Sequence, residues 1–181
     1  MNEPDLNGWT PDSYFPYLKA VYTAIKQVDP NAVVIHAGMW TGWNGVIAWY
    51  ERMYQLGAKP YFDAANVHAY DDPNQHGSWS MWDMTWGSGG RGYYDSKNVR
   101  SVMNANGDSA KPIVSTESGG PVPKYSEAQQ AQIVTNALKD GRFAFVCVYN
   151  MMDDEVPGFG LLRSDRSKRP SWDAYHAVAT S

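Results

Sequence analysis

The sequence predicts an α/β fold built on a parallel sheet, and two observations carry that prediction. Segments with helical apolar spacing alternate along the chain with short, nearly continuous apolar runs, in the order α-β-α-β-α-β-α-β-α, which implies parallel strands joined by right-handed crossovers. The links also differ in kind. Those after the apolar runs carry the polar and aromatic residues, whereas those after the helical segments are short turns such as Asp29-Pro30-Asn31 and Asp140-Gly141.

Each element has its own local warrant. Thr10-Pro11-Asp12 is a helix start, with a capping hydroxyl, proline at the first helical position and an acid in the first turn. Tyr14, Tyr17, Leu18, Val21, Tyr22, Ile25 and Val28 then recur at helical spacing, so a helix is expected over 12–28. The run 32–37, Ala-Val-Val-Ile-His-Ala, reads as a strand buried on both faces. A helix from about Asn44 to Leu56 stops at Gly57, and a strand follows at 62–70. A long Trp- and Gly-rich loop leads to a helix near 96–106, ended by Gly107, and then to a strand at 112–117. Ser126 and Gln129 form a capping box for a helix running to about Lys139. The last strand is expected at 143–149, and Pro170-Ser171 opens a final helix through Trp172, Tyr175 and Val178. Four strands and five helices result. In a (β/α) barrel the loops after strands build the active face and the opposite end serves stability; here the segment 71–94 is the largest elaboration of that face.

With 181 residues, 43% of them hydrophobic, the chain has the size and composition of one globular domain. A net charge of −4 argues against a nucleic-acid partner. The longest apolar run, 143–148, is far short of a membrane span, and no charged-then-apolar leader is visible. Cys147 is the single cysteine, which excludes an internal disulfide or a cysteine-rich zinc site, and its apolar setting predicts a small core residue. No compartment is indicated. Aromatic content is high, with 8 Trp and 12 Tyr. Trp9, Trp40, Trp43, Trp79, Trp82, Trp86, Tyr93 and Tyr94 fall in segments read as loops. Aromatics there either line a surface that packs on the C–H faces of sugar rings or fold back as local plugs.

Two carboxyl groups stand out: Glu3 in Asn2-Glu3-Pro4-Asp5, and Glu117 at the end of Pro112-Ile113-Val114-Ser115-Thr116-Glu117, where an apolar strand breaks into Ser118-Gly119-Gly120. A pair of carboxyls on one sheet face is the minimum equipment for glycosidic bond cleavage. Alone, the N-terminal motif reads equally as a polar terminus, and a satisfied core histidine is the alternative reading of His68. His36 and His176 are read as structural, and Asp153-Asp154-Glu155 as a solvated loop without ligand spacing, so neither metal nor cofactor is expected.

Taken in order, Asn2-Glu3-Pro4, Val67-His68-Ala69-Tyr70, Ser115-Thr116-Glu117, Tyr149-Asn150, Gly158-Phe159-Gly160-Leu161-Leu162 and the Lys-Arg-Pro-Ser-Trp-Asp-Ala-Tyr helix start resemble the second half of a clan A retaining glycoside hydrolase, of the cellulase or β-xylosidase type. The resemblance spans nearly the whole chain. It implies half a (β/α)8 barrel, strands five to eight with helices four to eight. It also implies Glu3 as acid/base, Asn2 on the substrate 2-hydroxyl, Glu117 as nucleophile, and His68 and Tyr70 as orienting residues. Trp40, Trp43, Trp79, Trp82, Trp86 and Tyr149 are the candidate sugar-contacting aromatics, and the expected partner is an oligo- or polysaccharide.

Half a barrel has two unpaired parallel edges, here the runs at 32–37 and 143–149, and such edges invite association. The expectation is therefore a homodimer in which these edges pair, or a complex with a separate N-terminal half. In the dimer the helix at 12–28 and the partner's last helix compete for one groove. Glu3, without a strand before it, is expected to be less firmly held than Glu117. The competing function class is a non-catalytic carbohydrate-binding or structural half-barrel fragment that self-associates.

Overall fold

The computed structural model describes residues 1–41, 45–153 and 156–181. Trp43, Asp154 and Glu155 lie outside the described residues.

Among the described residues, six α-helices pack around a three-stranded parallel sheet. In chain order these are α1 (Pro11–Val28), α2 (Val46–Gln55), β1 (Ala65–His68), α3 (Met81–Trp86), α4 (Val99–Ala105), β2 (Ile113–Ser118), α5 (Glu127–Lys139), β3 (Val146–Val148) and α6 (Pro170–Ala179). The sheet order is β1-β2-β3. Helix starts follow the sequence signals. Thr10 caps α1 by accepting from the Ser13 amide, and Ser126 caps α5 in a box with Gln129. The core lies between sheet and helices, where Trp49, Tyr50 and Met53 of α2, Phe62, Ala65 and Val67 around β1, and Met103 of α4 are at most 1% exposed. Full burial of side chains this large stabilises by roughly 1.5–3 kcal/mol each.

Three expectations are corrected. The run 32–37 is not a regular strand. Residues 34–39 lie parallel to β1 through two isolated bridges, Ile35 with Ala64 and Met39 with Val67. The unequal spacing of those bridges breaks the ladder, and side chains take over its amides: Val34 N–H donates to Asp63 Oδ2 at 2.8 Å and Ala37 N–H to the Tyr14 hydroxyl at 3.1 Å. Nor is the run buried on both faces, since Val33 is 68% exposed. Cys147 is exposed rather than in the core, because β3 is the last strand of the sheet and packs fewer neighbours than β2. Finally, α3 arises inside the expected loop. Ser80 caps it by accepting from the Asp83 amide at 3.1 Å, so Ser80-x-x-Asp83 was its sequence signal. Its residues Trp82 and Trp86 are thereby drawn inward.

The sheet's main irregularity sits where the chemistry is expected. Between β1 and β2, Asn66 faces Val114 and His68 faces Glu117, while between β2 and β3, Ser115 faces Val146 and Ser118 faces Val148. In both ladders β2 has one extra residue, a β-bulge within 115–118 that re-aims the strand end. Side chains satisfy the amides it displaces. Ala69 N–H donates to Ser115 Oγ (3.1 Å), Ser115 Oγ to the Glu117 carbonyl (2.9 Å), and Thr116 N–H to Asn66 Oδ1 (3.1 Å).

Candidate active site

The C-terminal ends of β1 and β2 bring His68, Tyr70 and Glu117 together, and the N-terminal turn adds Glu3. His68 is fully buried, and its Nδ1 lies 2.7 Å from Glu3 Oε1 and 3.5 Å from Glu117 Oε2. The Tyr70 hydroxyl donates to Glu117 Oε2 at 2.6 Å. Burial, and then the Glu117 carboxylate, push the Tyr70 phenol far above its ordinary pKa, which keeps it a donor. Behind the ring, His68 Nε2 meets Thr116 Oγ1 at 3.2 Å, and Asn66 Nδ2 donates to that oxygen at 2.8 Å. Asn66 Oδ1 is the acceptor of the Thr116 amide, which fixes its amide orientation, and the Thr116 hydroxyl has two acceptors within 3.2 Å, Asn66 Oδ1 and His68 Nε2. The 2.7 Å contact of Nδ1 with the Glu3 carboxylate, an acceptor, places the ring proton on Nδ1. Gly38 makes room for the ring: a Cβ there would lie 1.9 Å from His68 Nε2.

Glu3 stands on a turn. Its carbonyl accepts from Leu6 N–H (3.1 Å), Asn7 N–H (3.0 Å) and Asn7 Nδ2 (2.9 Å), and its φ is +42°. Asp5, in the same turn, accepts from the Trp40 amide at 3.2 Å. The Glu3 and Glu117 side chains are 15% and 19% exposed, enough for a substrate to reach both. Donor atoms of Glu3, His68 and Glu117 all lie within 4.8 Å of one another. Such a group has the spacing to hold a cation; here His68 Nδ1 bonds Glu3 and the Tyr70 hydroxyl bonds Glu117.

Around this centre Trp40, Tyr70, Tyr149 and Phe159 form an aromatic wall. Tyr70 lies edge-on to the other three, at 5.3, 6.3 and 5.6 Å respectively. Trp79 stands beyond it, 81% exposed. Two candidate sugar-contacting residues do not join the wall. Trp82 is 1% exposed and packs edge-on against Phe143 at 5.1 Å. Trp86 packs on the same ring at 5.2 Å, with the Arg100 guanidinium over its face. Both are plugs drawn inward by α3. Asn2 is exposed, and its carbonyl accepts from Asn7 Nδ2 at 3.2 Å.

Sequence reasoning gave no role to Thr116, Asn66 or Phe159. Phe159 could have been found from its flanking glycines. Gly158 has φ +95°, and a Cβ on Gly160 would lie 2.4 Å from backbone atoms. Asp153 holds this loop by accepting from the Gly158 and Gly160 amides (3.0 and 2.7 Å) and from Arg169 Nη2 (2.6 Å). It is therefore a structural residue rather than part of a solvated run.

The chain is a partial (β/α) barrel with Glu117 and His68 at strand ends and Glu3 on the turn beside them, and it has the fold of the glycoside hydrolases. Residues 1–152 match the cellulase family, glycosyl hydrolase family 5, and the chain belongs to that family. Solved structures agree in fold. A family 39 glycoside hydrolase from Bacteroides cellulosilyticus WH2 superposes with TM-score 0.75 at 23% identity, covering 99% of this chain and 39% of its own. A monomeric β-xylosidase from Caulobacter crescentus CB15 gives 0.68 at 22%, covering 98% and 40%. A glucosidase from Croceicoccus marinus gives 0.72 at 18%, covering 99% and 39%. The chain thus spans about two fifths of the length of these structures. No curated protein matches.

Proposed function

We propose that the chain carries the catalytic pair of a retaining β-glycosidase, with Glu117 as nucleophile and Glu3 as acid/base. The observation that carries this reading is that one buried imidazole touches both carboxylates, whose nearest oxygens lie within 4.8 Å. Retention calls for carboxyls about 5 Å apart, because the second attacks carbon directly rather than through water. In the first step a Glu117 oxygen bonds the anomeric carbon. The carbon–oxygen bond to the leaving group breaks, and its electron pair takes the Glu3 proton. In the second, Glu3 takes a proton from water, whose oxygen displaces the Glu117 ester. Tyr70 and His68 orient the two carboxylates, and Tyr149 and Trp40 shape the sugar site.

The test is covalent trapping. Incubation with 2-deoxy-2-fluoro-β-glycosides of good leaving groups should add one fluoroglycosyl unit to the intact protein, mapped by peptide mass spectrometry to Glu117. Labelling at another residue, or none alongside measurable hydrolysis, would overturn the assignment.

The same reading includes completion of the barrel by a second copy. Its support is the pair of irregular edges, where Val33 is 68% and Phe145 43% exposed. Light scattering should return the mass of a dimer at micromolar concentration; a clean monomer sinks this part while leaving the catalytic assignment testable.

A further inference from the structure

Asn-Gly pairs occur at Asn7-Gly8, Asn44-Gly45 and Asn106-Gly107, and Asn44 lies outside the described residues. The first pair stands in the turn that carries Glu3. Asn7 Nδ2 donates to the Glu3 carbonyl at 2.9 Å and to the Asn2 carbonyl at 3.2 Å, so one side-chain amide ties the two ends of the turn together. From this arrangement we propose that Asn7 is the clasp of the Glu3 turn and a site of spontaneous deamidation, whose loss loosens the acid/base carboxylate. The effect on catalysis rests on the glycosidase reading above; the modification and the opening of the turn do not.

The chemistry needs only the chain and water. The Gly8 backbone nitrogen attacks Asn7 Cγ, forming an N–Cγ bond and giving up its proton. The Cγ–Nδ2 bond breaks, and Nδ2 leaves with that proton as ammonia, which closes a five-membered succinimide. Water then opens the ring at one of its two carbonyls. Opening at Cγ gives aspartate, and opening at the backbone carbonyl gives isoaspartate, with the main chain one methylene longer. Glycine in the following position favours the attack because no side chain shields its nitrogen. In either product the amide donor is gone and a carboxylate, which only accepts, takes its place.

Two observations single out this pair. Asn7 and Gly8 are exposed, and among the described residues the Gly8 amide has no hydrogen-bond partner. Asn106-Gly107 is closed by comparison. It ends α4, where Gly107 N–H donates to the Asn104 carbonyl at 3.0 Å and Asn106 Nδ2 to the Val102 carbonyl at 2.9 Å. A nitrogen held in a helix end is not free to reach its neighbour's side chain. The second observation is what the clasp holds. Glu3 is a non-glycine residue at φ +42°, a conformation that persists only where its surroundings enforce it. Its carbonyl accepts from Leu6 N–H, Asn7 N–H and Asn7 Nδ2. Removing the last donor and placing a negative charge beside that oxygen opposes the turn at the residue whose carboxylate it positions.

The test ages the purified intact chain at mildly alkaline pH and follows Asn7 and Asn106 by peptide mass spectrometry, deamidation being a gain of about one dalton. Asn7 should convert several times faster than Asn106; equal or faster conversion at Asn106 overturns the proposal. Hydrogen exchange of the Leu6 and Trp9 amides, both bonded within the turn, should quicken in the aged protein and in Asn7→Asp. In both, kcat/KM for a glycoside with a poor leaving group should fall about tenfold, with little change for a dinitrophenyl glycoside. Gly8→Asn keeps the clasp, tolerates positive φ and shields the nitrogen, so its activity and exchange should stay constant on ageing. It carries the test alone if Asn7→Asp loses its fold, which circular dichroism reports. Unchanged exchange after conversion, equal losses on both substrates, or Gly8→Asn ageing as fast as the parent overturns the proposal. Faster exchange on Asn7 conversion without Glu117 trapping instead overturns the glycosidase reading and leaves the clasp standing.

Discussion

β2 and the segment 34–39 run parallel on either side of β1, and they hold their functional neighbours by different means. β2 is a ladder strand. Ala65 N–H donates to the Pro112 carbonyl at 3.0 Å on one side, and Ser115 N–H to the Phe145 carbonyl and Tyr149 N–H to the Ser118 carbonyl, at 3.1 and 2.8 Å, on the other. β2 is thus paired by backbone bonds on both flanks, and inside its bulge the Ser115 hydroxyl holds the Glu117 carbonyl at 2.9 Å. The segment 34–39 has a broken ladder, and side chains of Asp63, Tyr14 and Asp5 satisfy the amides of Val34, Ala37 and Trp40. The Glu3 turn hangs from this second region, through Asp5 to Trp40 and through His68, whose ring occupies the space beside Gly38. One carboxylate belongs to the scaffold and the other is docked onto it. Positional error in a catalytic group is costly, about a hundredfold for 1 Å, so the contrast bears on rate.

Separating the two carboxylates by substitution probes the contrast hardest. Glu117→Gln should lower turnover of an activated aryl β-glycoside by at least about a thousandfold, because the covalent step loses its nucleophile. Glu3→Gln should change kcat/KM far less with a dinitrophenyl leaving group, which departs without protonation, and by about a hundredfold or more with a poor one, while kcat falls on both because the second step loses its base. Steady-state kinetics on both substrates decides it. Equal losses for both variants on both substrates would mean that neither carboxylate has the role given to it.

How far the sequence made these regions legible follows the same division. β2 is an apolar run ending in Glu117 and two glycines, and periodicity finds such a strand because burial of the run and pairing of its backbone agree. The run 32–37 has the same composition, but composition does not reveal that its amides are taken by side chains from Asp5, Tyr14 and Asp63, distant in sequence. Likewise Trp82 and Trp86 look like Trp79 in a Gly-rich stretch; only the Ser80 cap, which starts a six-residue helix, turns two of the three inward. Glu117 and His68 were visible as residue types at strand ends, and Glu3 as part of the Asn2-Glu3-Pro4 motif. Thr116 and Asn66 were not, since their role depends on a bulge that shifts the register by one residue.

A pH test addresses the side-chain-held region. His36 lies within it, caged by the rings of Tyr14 (5.1 Å), Tyr50 (5.0 Å) and Phe62 (5.6 Å). Its Nδ1–H donates to the Ala37 carbonyl at 2.9 Å, and among the described residues Nε2 has no hydrogen-bond partner. Burial lowers its pKa from 6.5 to about 4. The folded chain therefore keeps His36 neutral where the unfolded chain protonates it. The contribution is fully present above pH 6.5 and is lost as pH falls from there through about 4, on the order of 3 kcal/mol in all. Urea unfolding at pH 7, 5.5 and 4 should show that decline, and His36→Phe should flatten it. An unchanged slope in the variant would place the acid sensitivity elsewhere.

The smallest expected effect sits where the two regions meet. Thr116 is a residue of β2, next to Glu117, yet its hydroxyl meets the ring that holds Glu3. Thr116→Val keeps the side-chain volume and the strand while removing the hydroxyl. His68 Nε2 then loses its hydroxyl partner, and Asn66 loses both the acceptor of its Nδ2 and a donor to its Oδ1. The ring is free to place its proton on Nε2, which leaves Nδ1 unable to donate to the Glu3 carboxylate. We expect kcat to fall about tenfold with little change in KM and a shifted pH–rate profile, and Thr116→Ser to restore most of the loss. A purely structural role would lower stability in both variants without moving the profile. The profile shift, rescued by serine, would mean that the docked carboxylate takes its proton geometry from the ladder strand, so that the scaffolded half of the pair sets the state of the other.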